Sequence, residues 1–99
     1  MNTRQEDIKL AVVFPPGDML EERLEELNLS VKEFARLCDK PDTEIQALIN
    51  GGRITTDMAK TLEKVLHIPA YIWENHQVLY DNYLKRLAKE RERELTLAD

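Results

Sequence analysis

Few groups in this chain could do covalent chemistry, and each has a plainer role. The two histidines are His67 and His76, and Glu63 lies one helical turn before His67. One such pair falls short of the three or four ligands a zinc site needs, and there is neither HExxH nor CxxC. His67 stands where a helix has to stop, ahead of Pro69, which makes it a capping residue. The single Cys38 cannot close an internal disulfide and falls on an apolar helix face, as a small buried hydrophobe does. Ser30 is followed three residues on by Glu33, so its hydroxyl is committed to a helix start and is not a credible nucleophile. No glycine-rich phosphate loop occurs. No enzymatic activity, metal or cofactor is expected. What remains is non-covalent recognition. Thr43, Gln46 and Asn50 put hydrogen-bonding side chains on one short helical segment, and Lys32, Lys40 and Arg53 set cations around it. Amide and hydroxyl groups on a helix face can read base edges, while cations hold phosphates. An ordinary solvated helix face is the plain alternative.

The elements that must position these residues are written in residues 30–53, SVKEFARLCDKPDTEIQALINGGR. Ser30 and Glu33 form a capping box, and Phe34, Ala35 and either Leu37 or Cys38 give the first helix its apolar face. Asp39-Lys40-Pro41 breaks the rhythm, because Pro41 disfavours the α conformation at Lys40 but is welcome at a helix start. Ile45, Leu48 and Ile49 then recur at helical spacing until Asn50-Gly51-Gly52 stops the second helix. Two short helices joined by a tight turn follow the helix-turn-helix pattern, whose second helix can lie in a DNA major groove.

Ninety-nine residues with 42% hydrophobic content suit one domain with a single core. Three glycines and a third of residues charged favour an all-helical build. No stretch approaches the roughly 20 apolar residues of a membrane span. Ile8–Phe14 is too short and too poorly flanked for a signal peptide, so a cytoplasmic location with no membrane partner is expected. The net charge of −5 opposes a tight non-specific grip on nucleic acid, since phosphate neutralisation supplies most of that affinity. The acid is uneven: Asp18, Glu21, Glu22, Glu25 and Glu26 crowd one segment against Arg23, and could face a basic protein partner.

Ile8 to Phe14 is β-prone and reads as a short strand or an extended arm, closed by Pro15-Pro16-Gly17. A helix runs from about Pro16 to Leu27 with Leu20, Leu24 and Leu27 on one face. After Arg53, Ile54 reads as a core plug and Thr55 as an N-cap, with Met58, Leu62, Val65 and Leu66 continuing the 3.6-residue rhythm. A last, longer helix starts near Ala70 and runs to about Leu95. Ile72, Trp73, Leu79, Tyr80, Tyr83, Leu84 and Leu87 cover more than one stripe of it, enough to serve both its own domain and a partner. Trp73 reads as core, whereas Leu79, Tyr83 and Leu87 are candidates for a dimer interface. The expected division is an arm over 1–14, one helix-turn-helix domain over 15–95 and a frayed tail over 96–99.

The run from PPGDMLEERLEELNLS through the helix-turn-helix to GGRITTDMAKTLEKVLHIPAYIWENHQVLYDNYL resembles the HigA/VapI-type antidotes of bacterial toxin–antitoxin modules, within the Xre or phage-repressor-like class. The distinctive positions are Pro16-Gly17-Asp18, Asn50-Gly51, Ile54 to Ala59, and Trp73, Asn75, Gln77 and Tyr80-Asp81. The resemblance implies a five-helix, lambda-repressor-like domain. It also implies a homodimer on a palindromic operator and a cognate toxin, typically a small basic ribosome-dependent mRNA interferase. Base-reading side chains would fall at Asp42, Thr43 and Ala47, with Gln46 close by and Asn50 on the same helix. Ser30, Lys32, Lys40 and Arg53 would complete the DNA face. The chain departs from the pattern at Asp42 and Glu44, where such antidotes often carry Arg or Gln. A carboxylate can accept from cytosine but repels phosphate, and Ala47 could touch only a thymine methyl. Asp39 replaces the usual turn glycine, which Asp tolerates better than most residues. Two other functions stay open: a protein-binding module with weakened DNA readout, and a plain repressor without a toxin.

Overall fold

Five α-helices make up residues 12–98, the part of the chain that the computed structural model describes, with side chains described as far as residue 94. They are α1 (Pro16–Leu27), α2 (Val31–Cys38), α3 (Asp42–Ile49), α4 (Thr56–Leu66) and α5 (Ala70–Ala98). Among the described residues there is no strand. The expected arm or strand at Ile8–Phe14 lies outside the described residues as far as residue 11, and residues 12–15 are neither helix nor strand. The helix-turn-helix expected over 30–51 is therefore α2 and α3.

Each boundary has a local cause. Ser30 Oγ accepts from the Glu33 N–H at 3.0 Å while Glu33 Oε1 accepts from the Ser30 N–H at 3.1 Å, the reciprocal box read from the sequence. Thr55 Oγ1 caps α4 by accepting from the Met58 N–H at 3.2 Å. Asn28, Asp39 and His67 end α1, α2 and α4 in the left-handed region, with φ of 58°, 56° and 62°. There the N–H of the residue folds back onto the helix's last carbonyls. The final helix reaches Ala98, three residues past the expected end.

The core gathers Leu20 and Leu24 of α1, Phe34, Ala35 and Cys38 of α2, Ile45, Leu48 and Ile49 of α3, and Met58, Ala59, Leu62 and Leu66 of α4, with Ile54 and Trp73. Trp73 and Phe34 are wholly buried, and Ile54 is the expected plug. Cys38, not Leu37, completes the apolar face of α2, since Leu37 is 59% exposed. Leu27 departs from expectation: it is 45% exposed. It occupies the last turn of α1, beside the chain reversal at Asn28, and Leu29 is the residue that packs against the core there.

Gly17 sets the approach of α1 to α3. A Cβ at this position would overlap the Leu48 carbonyl oxygen and lie 2.8 Å from its carbon, so only glycine lets the start of α1 rest on the end of α3. The radius of gyration is 16.7 Å, against about 13 Å for a compact chain of this length. The excess comes from α5, whose first turns anchor in the core through Trp73 while its later turns run out exposed. None of the described helices is long and apolar enough to cross a membrane.

Candidate nucleic-acid interface

The 8-residue helix α3 is divided sharply between two faces. Ile45, Leu48 and Ile49 are buried, and Asp42, Thr43, Glu44, Gln46, Ala47 and Asn50 are all exposed. The division follows from the 3.6-residue period: once three apolar side chains enter the core, the polar ones must face out. The turn between α2 and α3 then fixes the direction of α3. Asp39 takes the left-handed conformation, the Lys40 N–H donates to the Ala35 carbonyl at 2.9 Å, and Pro41 precedes the first residue of α3 in extended geometry.

Ser30 at the cap of α2, Val31 and Lys32 from α2, and Asp42, Thr43 and Gln46 from α3 line one shallow groove. Five of the sequence-predicted site residues are thus brought together. Gln46 Nε2 donates to Asn50 Oδ1 at 3.1 Å, which ties one further candidate to the groove along the same helix. Ala47 and Lys40 are exposed outside this groove. Ser30 Oγ already accepts from the Glu33 N–H and its side chain also faces the Glu33 carboxyl, so the hydroxyl is largely committed to the cap. The Ser30 backbone N–H and hydroxyl hold the Glu33 carboxyl below the usual carboxylate range. Burial pushes the Cys38 thiol up, away from the thiolate form.

Arg53 is engaged elsewhere. Its Nη1 donates to Asp81 Oδ1 at 2.8 Å, joining the turn after α3 to α5. The same oxygen accepts from Gln77 Nε2 at 3.0 Å, and Gln77 Oε1 in turn accepts from the Ile54 N–H at 2.8 Å. Gln77 is only 6% exposed. The Arg53 guanidinium, followed by the Gln77 amide, holds the Asp81 carboxyl below its ordinary value, and Asp81 raises Arg53 in return. Spacing alone could not reveal a pairing 28 residues apart. A partial signal was present: Trp73, Gln77 and Asp81 recur every four residues, so a buried tryptophan implies a polar group buried on its own face. A second unforeseen contact is His76, whose Nε2 lies 2.9 Å from the Phe14 carbonyl. On the outer side of α5, Leu79 and Leu87 are exposed and Tyr83 is half-buried.

The HTH_3 helix-turn-helix family matches residues 20–73, more than half of the chain. An addiction module antidote of the HigA family from Coxiella burnetii has a similar structure, with a TM-score of 0.74 and 32% identity, the match covering 85% of this chain and 96% of that one. The chain belongs to the HigA-type antidotes of the helix-turn-helix class. The antitoxin HigA of Pseudomonas aeruginosa, solved with the higBA promoter, aligns at a TM-score of 0.76 and 25% identity over 84% of this chain and 92% of its own. Beyond solved structures, the uncharacterized HTH-type transcriptional regulator YddM of Escherichia coli K12 is 38% identical over 63 residues, or 63% of this chain and 67% of that protein. The antidote match extends past Trp73 into α5, so the part of the chain carrying Gln77 and Asp81 belongs to the shared architecture.

Proposed function

We propose that this antidote-family protein is a sequence-specific DNA-binding autorepressor that also binds and neutralises a cognate toxin, an mRNA interferase. The observation that carries the DNA half is the outward face of α3, where Thr43, Gln46, Ala47 and Asn50 stand exposed on a helix held rigidly by its buried side. The similarity to an antitoxin solved with its promoter supports the same reading. In it, α3 enters the major groove, Gln46 and Thr43 meet base edges, and Ser30, Lys32, Lys40 and Arg53 contact phosphates. Leu79, Tyr83 and Leu87 of α5 form the two-fold contact of a homodimer, which sets two α3 helices one DNA turn, about 34 Å, apart.

Gel shift with the DNA upstream of the protein's own gene tests this. A preferred palindrome is expected, with Gln46→Ala changing which sequence is preferred. Equal binding to all duplexes at low salt, or a Gln46→Ala variant with unchanged preference, removes α3 as the reading element.

One observation favours a second reading. Asp42 and Glu44 stand exposed in the first turn of α3, and the chain's net charge is −5. Carboxylates there repel phosphate, so the fold would serve as a protein-binding module whose acidic α1 holds a basic toxin. Co-purification with the product of the adjacent gene, in the absence of any operator shift, would select this reading.

A further inference from the structure

The polar contacts between α5 and the turn after α3 form one connected chain, and its chemistry is specific. The Ile54 N–H needs an acceptor because Ile54 is buried, and Gln77 Oε1 supplies it. That bond orients the Gln77 amide so that its NH₂ points at Asp81, and Asp81 Oδ1 then takes both this donor and Arg53 Nη1. The amide accepts at its oxygen and donates at its nitrogen, as both bonds require. Glutamate could make the first bond but not the second, and leucine neither.

We propose that Gln77 and Asp81 are positioning residues for DNA binding: through them α5 holds the Gly51–Ile54 turn and aims the Arg53 guanidinium at the phosphate backbone. This rests on the DNA-binding reading above. A positioning role fits the geometry better than a masking one. Asp81 meets Arg53 at a single nitrogen, and the Arg53 side chain is still 66% exposed, so most of its five donors remain open to a second anion. An arginine already held by one contact gives up less side-chain freedom when it meets a phosphate.

The test is a binding cycle on upstream duplex DNA, at several salt concentrations, with Asp81→Asn, Gln77→Glu and Arg53→Ala alone and combined. Each variant's melting temperature is read alongside. Arg53→Ala should weaken binding to all sequences alike and reduce the slope of log affinity against log salt by about one. Asp81→Asn and Gln77→Glu should each weaken binding by roughly three- to tenfold. Neither should add further loss in the Arg53→Ala background, because both act through that side chain. A merely structural role would instead give additive losses tracking the fall in melting temperature, and would overturn the assignment. Tighter binding by Asp81→Asn would overturn it too, by showing that Asp81 masks Arg53. If the wild-type protein binds no duplex, the DNA-binding reading fails and takes this role with it. If the wild type binds and the two α5 variants match it, the positioning role alone fails.

Discussion

The two ends of α3 are held by different kinds of physics. At its start, the α2–α3 turn is built from neighbours in sequence: the Ser30–Glu33 box, the left-handed Asp39 and the extended Pro41. At its end, the constraints arrive from far along the chain. Gly17 of α1 lies under the Leu48 carbonyl, and Gln77 of α5 takes the Ile54 N–H across 23 residues. A helix that must present one face to a partner is thus aimed by a local hinge and clamped by remote contacts. Local rules decide that α3 exists, where it begins and in which direction it leaves the turn, and non-local packing holds its far end in place.

The largest expected effect lies at the remote end. Gly17→Ala would force α1 and α3 apart, since the added methyl meets backbone rather than a flexible side chain. A loss of about 3 kcal/mol is expected, well above the fraction of a kcal/mol that alanine gains in a helix. The midpoint of urea unfolding measures it, and an unchanged midpoint would mean the two helices are not in contact there.

At the local end the effects are smaller. Ser30→Ala should cost about 1 kcal/mol by removing the α2 cap, read in the same urea experiment. The pH dependence sharpens this. Glu33 has a folded pKa below its unfolded one, so its contribution is complete above the ordinary carboxylate range. It is lost as pH falls through the lowered folded value. Glu33→Gln keeps an acceptor for the Ser30 N–H, so its stability should fall less than the wild type's below about pH 4.5. Parallel acid profiles for the two proteins would show that the box carries no charge dependence.

The smallest effect belongs to the turn itself. Asp39→Gly relieves the cost of a left-handed non-glycine residue but frees the unfolded chain, and the two largely offset. A change within about 1 kcal/mol is expected. A large loss would mean that the Asp39 side chain, not its backbone, holds the turn.

The same contrast explains what the sequence could tell. All five helices were legible, because caps, left-handed stops and 3.6-residue spacing act within a turn or two: Ser30, Thr55, Asn28, Asp39 and His67 each behave as their types suggest. Exposure of the candidate face was legible by subtraction, once Ile45, Leu48 and Ile49 were assigned inward. Leu27 misled because spacing describes a helix and not where its neighbours end. The Arg53–Asp81 pair and the His76–Phe14 contact were hidden for a related reason. They join segments 28 and 62 residues apart, and no periodicity spans such gaps.

The lone thiol has a practical consequence. Cys38 closes the seam between α2 and α4, beside Leu37, Thr61 and Val65, and it is 8% exposed. The thiol sits at the edge of a surface pocket, so its labelling by an alkylating reagent should be slow and should quicken as the seam opens. The labelling rate of the unmodified protein is thus a clock for breathing of α2 against α4. No engineered probe is required, and the same clock run with and without duplex reports whether an occupied α3 stills its own support.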